Sequence, residues 1–421
     1  MSVDGDLTSG DARLIAAARL AFVPHGKPPV FGLAVSGGSD SLAMLHLMAE
    51  VAHQMACKVQ AITIDHGLRA EAAEEAAYVG RICAGLGVAH STVRWEHAEI
   101  FGNLMDQARR ARYALIADWA RAHGIGHVAV AHTMDDQAET VLMGLARAAG
   151  IDGLSGMRNA WREGGIAFTR PFLDVSRADL QSYLVRKRIA WIDDPSNTNG
   201  RYQRIKARRA LAALAPVGIT AERLARVASN LDFARSALTS YTATIATDLV
   251  AENAGGLQIR REQYSVQSFE VKRRVLIAAL RWISSAAYAP RADAVRNVEW
   301  AIETGKDSTL CGCRIRVKAD TIAITREPPA VASTICHTNQ LWDKRWRIDG
   351  PHAPGLTLRA LGAEGLRLCK NWRDTGIWRD GLLVSPAVWR GDALISAPLA
   401  GFNADWAATI PIGFHKFVLS H

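Results

Sequence analysis

Phe31-Gly-Leu-Ala-Val35, followed by Ser36-Gly-Gly-Ser-Asp-Ser41 and the apolar run Leu42 to Met48, is the stretch of sequence that decides the fold. The first five residues are mostly apolar and predict a short buried strand, and the run after Ser41 predicts an amphipathic helix. Glycines between them let the backbone approach a ligand, and free N–H groups at a helix start favour an anion. We therefore predict a phosphate-binding turn. Its residues are Ser36, Gly37, Gly38, Ser39, Asp40 and Ser41.

This phosphate turn differs from a Walker loop, because the Gly-Lys-Ser/Thr ending is absent. The missing lysine would reach the β and γ phosphates. Its absence favours cleavage between the α and β phosphates, which yields AMP and pyrophosphate. The spacing SGG-x-DS resembles the pyrophosphate-loop signature of the N-type ATP pyrophosphatases. The alternative is an ordinary glycine turn in which Asp40 caps the helix.

The chain has 421 residues, which is too long for one hydrophobic core and predicts two or three domains. Its hydrophobic content of 49% is typical of a globular protein. No apolar run in the sequence approaches the length of a membrane span. Asp4, Asp6 and Asp11 lie where a signal peptide would be basic, so we expect a cytoplasmic protein that does not contact a membrane.

The chain is basic, with 50 lysines and arginines against 41 acidic residues and a net charge of +9. Forty of the 50 basic residues are arginines. Arginine suits bidentate contacts to phosphate, so a nucleic acid is a natural partner. Compositional bias is the alternative explanation, since the chain is also rich in alanine.

The sequence contains six cysteines, none of which belongs to a Cys-x-x-Cys pair. The spacing therefore indicates neither a zinc ribbon nor an iron–sulfur site. We interpret all of them as reduced, partly buried thiols. They are Cys57, Cys83, Cys311, Cys313, Cys336 and Cys369.

Predicted strands and helices alternate along the N-terminal half. The strands are at 31–35, 59–64, 92–95 and 127–131, and the helical patterns are at 71–86 and 105–123. This alternation predicts an α/β fold with a doubly wound, Rossmann-like parallel sheet, in which ligands bind at the carboxyl ends of the strands. Asp65, His66 and His132 all follow strands at such ends, as the phosphate turn does.

The segment Ala131-His132-Thr-Met-Asp135-Asp136-Gln-Ala-Glu139 follows the fourth predicted strand. Asp135 and Glu139 are four residues apart and share one face at the start of a helix. A favourable interaction of these acids with the helix dipole is the alternative explanation. Carboxylates at the same sheet edge as the phosphate turn suit Mg²⁺, which takes a few oxygens and keeps water and phosphate for the rest. We predict ATP and Mg²⁺ here, with Asp40, Asp135 and Asp136 as metal ligands.

Two basic segments are candidates for contacts with a nucleic acid. Arg109 and Arg112 lie with Tyr113 on the predicted helix 105–123, at helical spacing. The second segment, Arg201-Tyr-Gln-Arg204-Ile-Lys-Ala-Arg208-Arg209, is the densest positive stretch in the chain. It follows a loop and begins a helix, which favours phosphate contacts. A solvated charged face is the alternative explanation for both segments.

Proline and glycine residues at 216–218 and 328–329 mark two predicted domain boundaries. The predicted domains are a catalytic domain at 1–215, an α-rich domain at 216–328 and a small β-rich domain at 332–421. Helical patterns at 219–250, 268–286 and 291–304 account for the α-rich domain.

The last predicted domain contains six of the twelve tryptophans of the chain. Trp372, Arg373, Trp378 and Arg379 could form a surface that stacks on RNA bases and contacts phosphates. The favoured interpretation is that the tryptophans fill the core of a small β domain.

Several motifs coincide with those of the tRNA(Ile)-lysidine synthetases, and the chain resembles this family. The motifs are SGGSDS at 36–41, His66-Gly-Leu-Arg69, Asn103, Ala108-Arg109, Arg112-Tyr113, Ala131-His132, Asp135-Asp136-Gln-Ala-Glu139, Gly153-Leu-Ser-Gly-Met157, Arg170-Pro171 and Asp194-Pro-Ser-Asn197. They cover the N-terminal half almost end to end. Past residue 216 the resemblance depends mainly on domain order and length.

This resemblance implies a two-step reaction on a minor isoleucine tRNA. ATP adenylates the C2 oxygen of the wobble cytidine in the CAU anticodon and pyrophosphate leaves. The amino group of free L-lysine then displaces AMP to give lysidine.

The resemblance also implies roles for individual residues. Catalysis is assigned to Asp40, His132, Asp135, Asp136 and Glu139, without a division of roles among them. ATP binding is assigned to the phosphate turn with Asp65 and His66. Contacts with the tRNA are assigned to Arg69, Asn103, Arg109, Arg112, Tyr113, Arg201, Arg204, Arg208 and Arg209.

Two other functions stay open at this point. One is a tRNA 2-thiolation enzyme that shares the pyrophosphatase loop, although the N-terminal domain offers only Cys57 and Cys83 for sulfur chemistry. The other is a tRNA-binding protein without catalytic activity, against which the intact turn and acidic helix argue. The sequence leaves open whether the protein is a monomer or a homodimer.

Overall fold

The computed structural model of this chain describes residues 9–23, 30–67, 71–96, 104–193, 203–403 and 405–420. It consists of two compact units, Met1–Arg235 and Ser236–His421. The boundary between them falls within one long helix. The three domains expected from the sequence stay a prediction. None of the helices in the described ranges combines the length and hydrophobicity needed to cross a lipid bilayer.

The first unit is built around a six-stranded sheet. Its strands are β1 (Val30–Ala34), β2 (Lys58–Asp65), β3 (Ala89–Arg94), β4 (His127–Val130), β5 (Ala160–Glu163) and β6 (Ile166–Thr169). Its helices are α1 (Ser9–Phe22), α2 (Ser39–Gln54), α3 (Ala72–Gly85), α4 (Leu104–Ala122), α5 (Met134–Leu145), α6 (Ile151–Leu154), α7 (Arg177–Arg186) and α8 (Gln203–Leu214). A 3-10 turn at Ala215–Val217 follows α8, and α9 (Ala221–Leu249) continues into the second unit.

The strand order is β3-β2-β1-β4-β6-β5. All neighbours are parallel except β5, which pairs antiparallel with β6. The chain therefore starts in the middle of the sheet and winds outward in both directions from β1, which confirms the predicted doubly wound α/β fold. The hairpin β5–β6 was not predicted, because strands of four residues are too short for a clear period.

The two faces of β1 pack on different groups of helices. Phe31 and Leu33 are fully buried in a cluster with residues of α1, α2 and α7. The neighbouring β4 contributes Val128 and Val130 to a second cluster, which includes Trp119 of α4. Helices thus cover both faces of the parallel sheet, as a doubly wound fold requires.

The second unit contains an antiparallel five-stranded sheet covered by helices. Its elements up to residue 331 are β7 (Val250–Asn253), β8 (Gly256–Arg260), α10 (Arg261–Ser265), α11 (Phe269–Ser284), α12 (Ala292–Glu303), β9 (Ser308–Leu310), β10 (Cys313–Val317), β11 (Thr321–Arg326) and α13 (Pro328–Val331). The strand order is β7-β8-β11-β10-β9. The predicted helices at 219–250, 268–286 and 291–304 correspond to α9, α11 and α12.

Short strands and helices make up the rest of the second unit. They are β12 (Cys336–His337), β13 (Arg347–Asp349), β14 (Thr357–Ala360), α14 (Gly362–Leu368), α15 (Arg379–Leu383), β15 (Pro386–Arg390), β16 (Ala393–Ser396), β17 (Ala407–Thr409) and α16 (Phe414–Ser420), with 3-10 turns at Trp372–Thr375 and Pro398–Ala400. The strands form one sheet in the order β12-β14-β15-β16 and a pair β13-β17.

Arg345 joins the two parts of this unit. Its guanidinium is buried and donates hydrogen bonds of 2.8 Å each to the carbonyl oxygens of Ile283 and Gly255. Its Cζ lies 4.3 Å from the ring centroid of Trp282 on α11. Burial lowers the pKa of Arg345 to about 10, so the side chain stays charged at neutral pH. A buried cation with carbonyl and aromatic partners links the C-terminal strands to α11.

A turn in the first unit is attached to α5 through one amide side chain. Gln137 donates from Nε2 to the carbonyl oxygen of Met157 (3.1 Å) and accepts from the Met157 N–H (2.6 Å). Gly156, with φ of +68°, precedes this contact, and a Cβ there would lie 2.4 Å from Gln137 Oε1. Both the backbone conformation and the available space therefore require glycine.

Gly156→Ala should lower the free energy of unfolding by about 1–3 kcal/mol more than Gly124→Ala. Gly124 has φ of +66°, but a Cβ there meets nothing within 4 Å. Comparing the two variants therefore separates the steric cost of a contact with Gln137 from the cost of placing alanine at a positive φ, which both variants share. Urea unfolding of both variants measures the difference, and equal destabilisation would show that Gln137 moves aside freely.

Candidate active site

The phosphate turn connects β1 to α2 at the carboxyl edge of the sheet. Helix α2 begins at Ser39, after Gly38, which has no side chain to cap the helix. Ser41 Oγ accepts a hydrogen bond from the Ser36 N–H (3.1 Å) and donates one to the Gly38 carbonyl (3.0 Å). Ser41 therefore fixes the turn from inside and leaves the start of α2 suited to an anion.

Gly37 is the position in this turn that requires glycine. Its φ is +88°, and a Cβ would lie 2.8 Å from Ile192 Cδ1. The Ile192 N–H donates to the Gly37 carbonyl at 3.0 Å. The segment after α7 thus packs on the phosphate turn and holds its backbone in place.

Three carboxylates from two helices meet at one arginine, Arg177, the first residue of α7. Its Nε lies 3.0 Å from Asp40 Oδ2, one terminal nitrogen lies 3.2 Å from Asp136 Oδ1, and the other lies 3.7 Å from Glu139 Oε1. These ion pairs connect the phosphate turn on α2 with the acidic helix α5. The predicted proximity of Asp40 to the α5 acids is therefore present in the fold.

Asp40, Asp136, Glu139 and Arg177 form one cluster, hereafter the acidic cluster. Burial raises the pKa of Asp40 more than the neighbouring guanidinium of Arg177 lowers it. Burial likewise raises the pKa of Glu139, against the opposing effect of Arg208. Burial also opposes the charge of Arg177, but Asp40 and Asp136 outweigh it and raise the arginine pKa.

Asp135 and Asp136 also have structural contacts at helix starts. Asp136 Oδ2 accepts from the N–H (2.9 Å) and the hydroxyl (3.0 Å) of Thr133, which completes a capping box on α5. Asp135 Oδ2 accepts from the backbone N–H of Arg177 at 2.7 Å. The two aspartates thus orient α5 and α7 relative to each other, in addition to supplying charge.

Glu139 is the most buried acid of the cluster, with 1% of its side chain exposed. Its Oε1 accepts from Arg208 Nε at 2.9 Å, which brings α8 to the site. Its Oε2 has no hydrogen-bond partner among the described residues although it is buried. A buried carboxylate oxygen without a donor is costly, so Glu139 Oε2 is a candidate acceptor for a ligand donor.

A second group of charges lies around Tyr113 on α4. Tyr113 is 4% exposed and packs edge-on against Trp161 and Phe168, at centroid distances of 5.4 Å and 5.5 Å. Burial raises the pKa of its hydroxyl, but the guanidinium groups of Arg112, Arg170 and Arg109 outweigh this and lower it. The Tyr113 ring is therefore buried, and the three guanidinium groups lie around it.

Arg170 connects this arginine group to His132. It is 5% exposed, with its Cζ 3.9 Å from the ring centroid of Trp161. Its Nε donates to His132 Nδ1 at 3.1 Å, and a terminal nitrogen donates to the Arg158 carbonyl. Because Nδ1 accepts, the proton of the neutral imidazole resides on Nε2. Burial and then Arg170 lower the His132 pKa well below its usual range, so the ring stays neutral and acts as a donor.

Asp65 ends β2 at the same edge, and His66 follows it. Asp65 Oδ1 accepts from the Gly67 N–H at 2.8 Å and shapes the turn after the strand. Burial and then the charge of Arg112 lower the pKa of His66, so its ring is neutral at pH 7. Both residues thus lie where the sequence predicted a ligand site, and within the described residues neither forms a hydrogen bond to the acidic cluster.

The remaining predicted site residues differ in their environments. Arg204 lies 3.9 Å from Asp136 and has a side chain that is 42% exposed. Arg209 is exposed on α8. Arg69, Asn103 and Arg201 lie outside the described residues.

A protein-family model described as a PP-loop domain matches residues 15–215. The chain is 44% identical over 419 residues to the tRNA(Ile)-lysidine synthase of Ruegeria pomeroyi, covering 99% of this chain and all of that protein. The chain belongs to the tRNA(Ile)-lysidine synthase family. The enzymes of that name from Wolbachia pipientis wMel and Rhodopseudomonas palustris are 36% and 35% identical, over 70% and 76% of this chain and 70% and 97% of their own lengths.

The sequence of this lysidine synthase did not indicate that Arg170 and Arg177 are central to the site. Arg177 belongs to none of the motifs described above, and Arg170 was named only as part of the family motif Arg170-Pro171. Arg177 directly follows the helix-capping Ser176, so its backbone N–H and its side chain both point toward the helix start. An arginine at a helix N-terminus opposes the dipole, and this unfavourable placement is the signal that could have identified it.

The carboxylates of this lysidine synthase fit part of a Mg²⁺ site. Within the described ranges, no group of three or more His, Cys, Asp and Glu side chains has the arrangement of a complete metal centre. Mg²⁺ commonly uses one or two protein carboxylates and takes its other oxygens from phosphate and water. Asp40 and Asp136 share one guanidinium beside the phosphate turn. This donor set fits such a partial site.

Arg177→Met should destabilise the first unit by about 3 kcal/mol, because it removes the guanidinium that the carboxylates of Asp40, Asp136 and Glu139 share. In that background, Asp40→Asn should restore part of the loss, since it removes one uncompensated charge. In the wild type, the same Asp40→Asn substitution removes an ion pair and should destabilise.

Urea unfolding of the four proteins in this double-mutant cycle, without ATP, measures the coupling. We expect at least about 1 kcal/mol between residues 40 and 177. Equal effects of Asp40→Asn in both backgrounds would contradict the ion-pair argument.

Proposed function

We propose that this chain ligates free L-lysine to C2 of the wobble cytidine in the CAU anticodon of an isoleucine tRNA. The reaction consumes ATP and yields lysidine, AMP and pyrophosphate. The single observation that supports it best is 44% identity to a tRNA(Ile)-lysidine synthase over nearly the whole chain. A cytoplasmic location, where ATP, lysine and tRNA are all present, belongs to the same proposal.

In the first step the C2 oxygen of cytidine attacks the α phosphorus of ATP, and the bond to the bridging oxygen of pyrophosphate breaks. Negative charge develops on the leaving pyrophosphate. The start of α2, with the backbone N–H groups next to Gly38 and the hydroxyl of Ser39, is suited to bind that charge. Asp40 and Asp136 would hold Mg²⁺, which supplies additional positive charge to the phosphates when bound.

In the second step the ε-amino group of lysine attacks C2 and AMP leaves with the C2 oxygen. Lysine binds as a cation and must lose a proton before the attack. Glu139 is suited to accept it, because burial raises the pKa of its carboxyl. Glu139 Oε2 has no donor among the described side chains, so it is our choice for the ammonium contact.

His132 is less suited to act as the base. Its Nδ1 already accepts from Arg170, and Nε2 therefore holds the proton. A neutral imidazole N–H is a good donor to the C2 oxygen or to the α phosphate. We assign His132 to that role.

Contacts with the anticodon loop are assigned to the arginines beside the acidic cluster. Arg109 and Arg112 lie around Tyr113, and Arg204 and Arg208 lie on α8. Cations at this edge would neutralise phosphates on either side of the wobble base. Arg69, Asn103 and Arg201 belong to the same proposed interface.

The 2-thiolation alternative is disfavoured by the cysteines of the first unit. Cys83 is fully buried, and burial raises the pKa of its thiol to about 11. Cys57 is half-buried beyond the end of α2, and its Sγ lies 3.7 Å from the Met55 carbonyl. A persulfide carrier needs an accessible thiolate, which Cys83 does not supply.

Incubation with ATP, Mg²⁺, radiolabelled lysine and an unmodified isoleucine tRNA with a CAU anticodon tests the proposal. We expect label on the tRNA in one-to-one amount with AMP released, and none after the wobble cytidine is changed to uridine. AMP release without lysine incorporation would overturn the choice of nucleophile.

Asp40→Asn is the matched inactive control for that assay. It should abolish AMP formation and leave tRNA binding within a few-fold of wild type, because Asp40 lies in the phosphate turn. If the protein only binds tRNA, neither the wild type nor Asp40→Asn would form AMP.

Arg209→Ala should weaken tRNA binding and reduce the slope of log Kd against log salt by about 0.8, the value for one lost phosphate contact. Arg209 is exposed, so its loss should not disturb the fold. Filter binding between 50 and 200 mM salt, about the range over which such slopes are measured, gives the slope.

Arg226→Ala is the control for Arg209→Ala, because it removes the same charge from a residue that pairs with Glu222 at 2.9 Å on α9. Its slope should match that of the wild type. An unchanged slope in Arg209→Ala would remove Arg209 from the interface.

A further inference from the structure

Trp378 differs from the other tryptophans of the C-terminal part. Trp342, Trp346, Trp389 and Trp406 are each at most 5% exposed and belong to hydrophobic clusters, as the favoured core interpretation predicts. Trp372 is partly buried against one of these clusters. Trp378 is half-buried and, within the described residues, belongs to none of them.

Trp378 instead lines a groove over the polar face of the five-stranded sheet. Arg316, Ala323 and Gln258 lie side by side in one row across β10, β11 and β8. Thr321 and Thr325 lie on either side of Ala323 along β11 and also line the groove. The opposite face of the same strands is core, with Ile315, Ile322 and Ile324 fully buried. Ala323, in the middle of the row, has only a methyl side chain and lines the groove together with Trp378.

The hydrogen-bonding groups of this groove are mixed in kind. Arg316 donates to Asp380 with a nitrogen–oxygen distance of 2.6 Å, and its Nε is buried without a described partner. Gln258 offers both a donor and an acceptor, and the threonine hydroxyls offer the same. A phosphate needs donors only, and the carboxylate of Asp380 would repel it. A nucleobase has donors and acceptors on one edge and an aromatic face for stacking.

We propose that the groove formed by Gln258, Arg316, Ala323, Trp378 and Asp380 binds one unstacked nucleobase of the tRNA substrate. The base stacks on Trp378, and its edge contacts Arg316, Gln258 and Asp380. Lys318, exposed at the groove, contacts the phosphate of the same nucleotide. The inference rests on the proposed function for the choice of tRNA as the ligand.

Single-stranded RNA is recognised mainly by such stacking and edge contacts. A stacked base contributes about 1–3 kcal/mol. Trp378→Ala should therefore raise the Kd for the full-length tRNA about five- to hundred-fold. Because a base is neutral, the slope of log Kd against log salt should stay unchanged. Trp378→Phe should recover most of the affinity, since a phenyl ring also stacks.

Filter binding of the full chain to the unmodified tRNA over a range of salt concentrations measures both quantities. Trp300→Ala is the matched control, because Trp300 is 57% exposed on α12 and does not line the groove. Its Kd should equal that of the wild type. An unchanged Kd in Trp378→Ala, or an equal loss in Trp300→Ala, would overturn the proposal.

Arg316→Gln distinguishes a base from a phosphate and does not depend on removing the indole. We expect weaker binding with an unchanged salt slope. A slope reduced by about 0.8 would mean that Arg316 neutralises a phosphate and would overturn the assignment of a base.

The lysine-incorporation assay on the wild type separates this inference from the proposed function. Normal lysidine formation with tRNA binding that is insensitive to residue 378 overturns only the base-binding groove. Binding that depends on Trp378 in a chain that forms no lysidine supports the groove and overturns the proposed reaction.

Discussion

The ion pairs of Arg177 are the interaction on which the arrangement of the site depends. Asp40 on α2 and the acids of α5 are far apart in sequence and would repel each other if brought together alone. One guanidinium, itself only 21% exposed, offsets that repulsion and fixes their spacing. Because a buried charge without a partner is costly, any displacement of α7 from α2 or α5 is resisted.

The same sheet edge is divided into two regions of opposite charge. Carboxylates dominate near the start of α5, whereas Arg109, Arg112 and Arg170 surround Tyr113 and His132. The two proposed substrates also differ in charge, since lysine is a cation and RNA an anion. Under the proposed function, lysine would bind beside the carboxylates of this edge. Burial of Tyr113 and Arg170 keeps the cationic side rigid.

The elements with strong periodicity were predictable, and the contacts between distant elements were not. The pattern from Phe31 to Met48 was sufficient to place β1, the phosphate turn and α2, because strand, glycine turn and helix each have a local signature. The acids of α5 were found for the same reason. Arg177 could not be assigned its partners, since they depend on how α7 packs against α2 and α5.

The burial of Tyr113 has one physical origin that the local sequence does not show. Its position among arginines on α4 suggested an exposed face, and a contact with RNA was expected. The hairpin β5–β6 has strands of four residues and was not predicted, yet its Trp161 is what covers the tyrosine ring. The hairpin that was not predicted therefore determines the environment of Tyr113, which lies almost fifty positions earlier in the chain. A contact between Tyr113 and RNA stays a prediction.

The side-chain amide of Gln137 limits the substitutions that this protein can accept at position 137. It donates to one backbone group of Met157 and accepts from another, so both of its terminal atoms have a fixed chemical identity. Glutamate has the same shape but cannot donate when ionised, and it would face a carbonyl oxygen with like charge. A single nucleotide change converts a glutamine codon into a glutamate codon. Deamidation converts the glutamine side chain itself into glutamate. The conservative replacement that arises most easily here is thus one that the turn beside the active site does not accommodate.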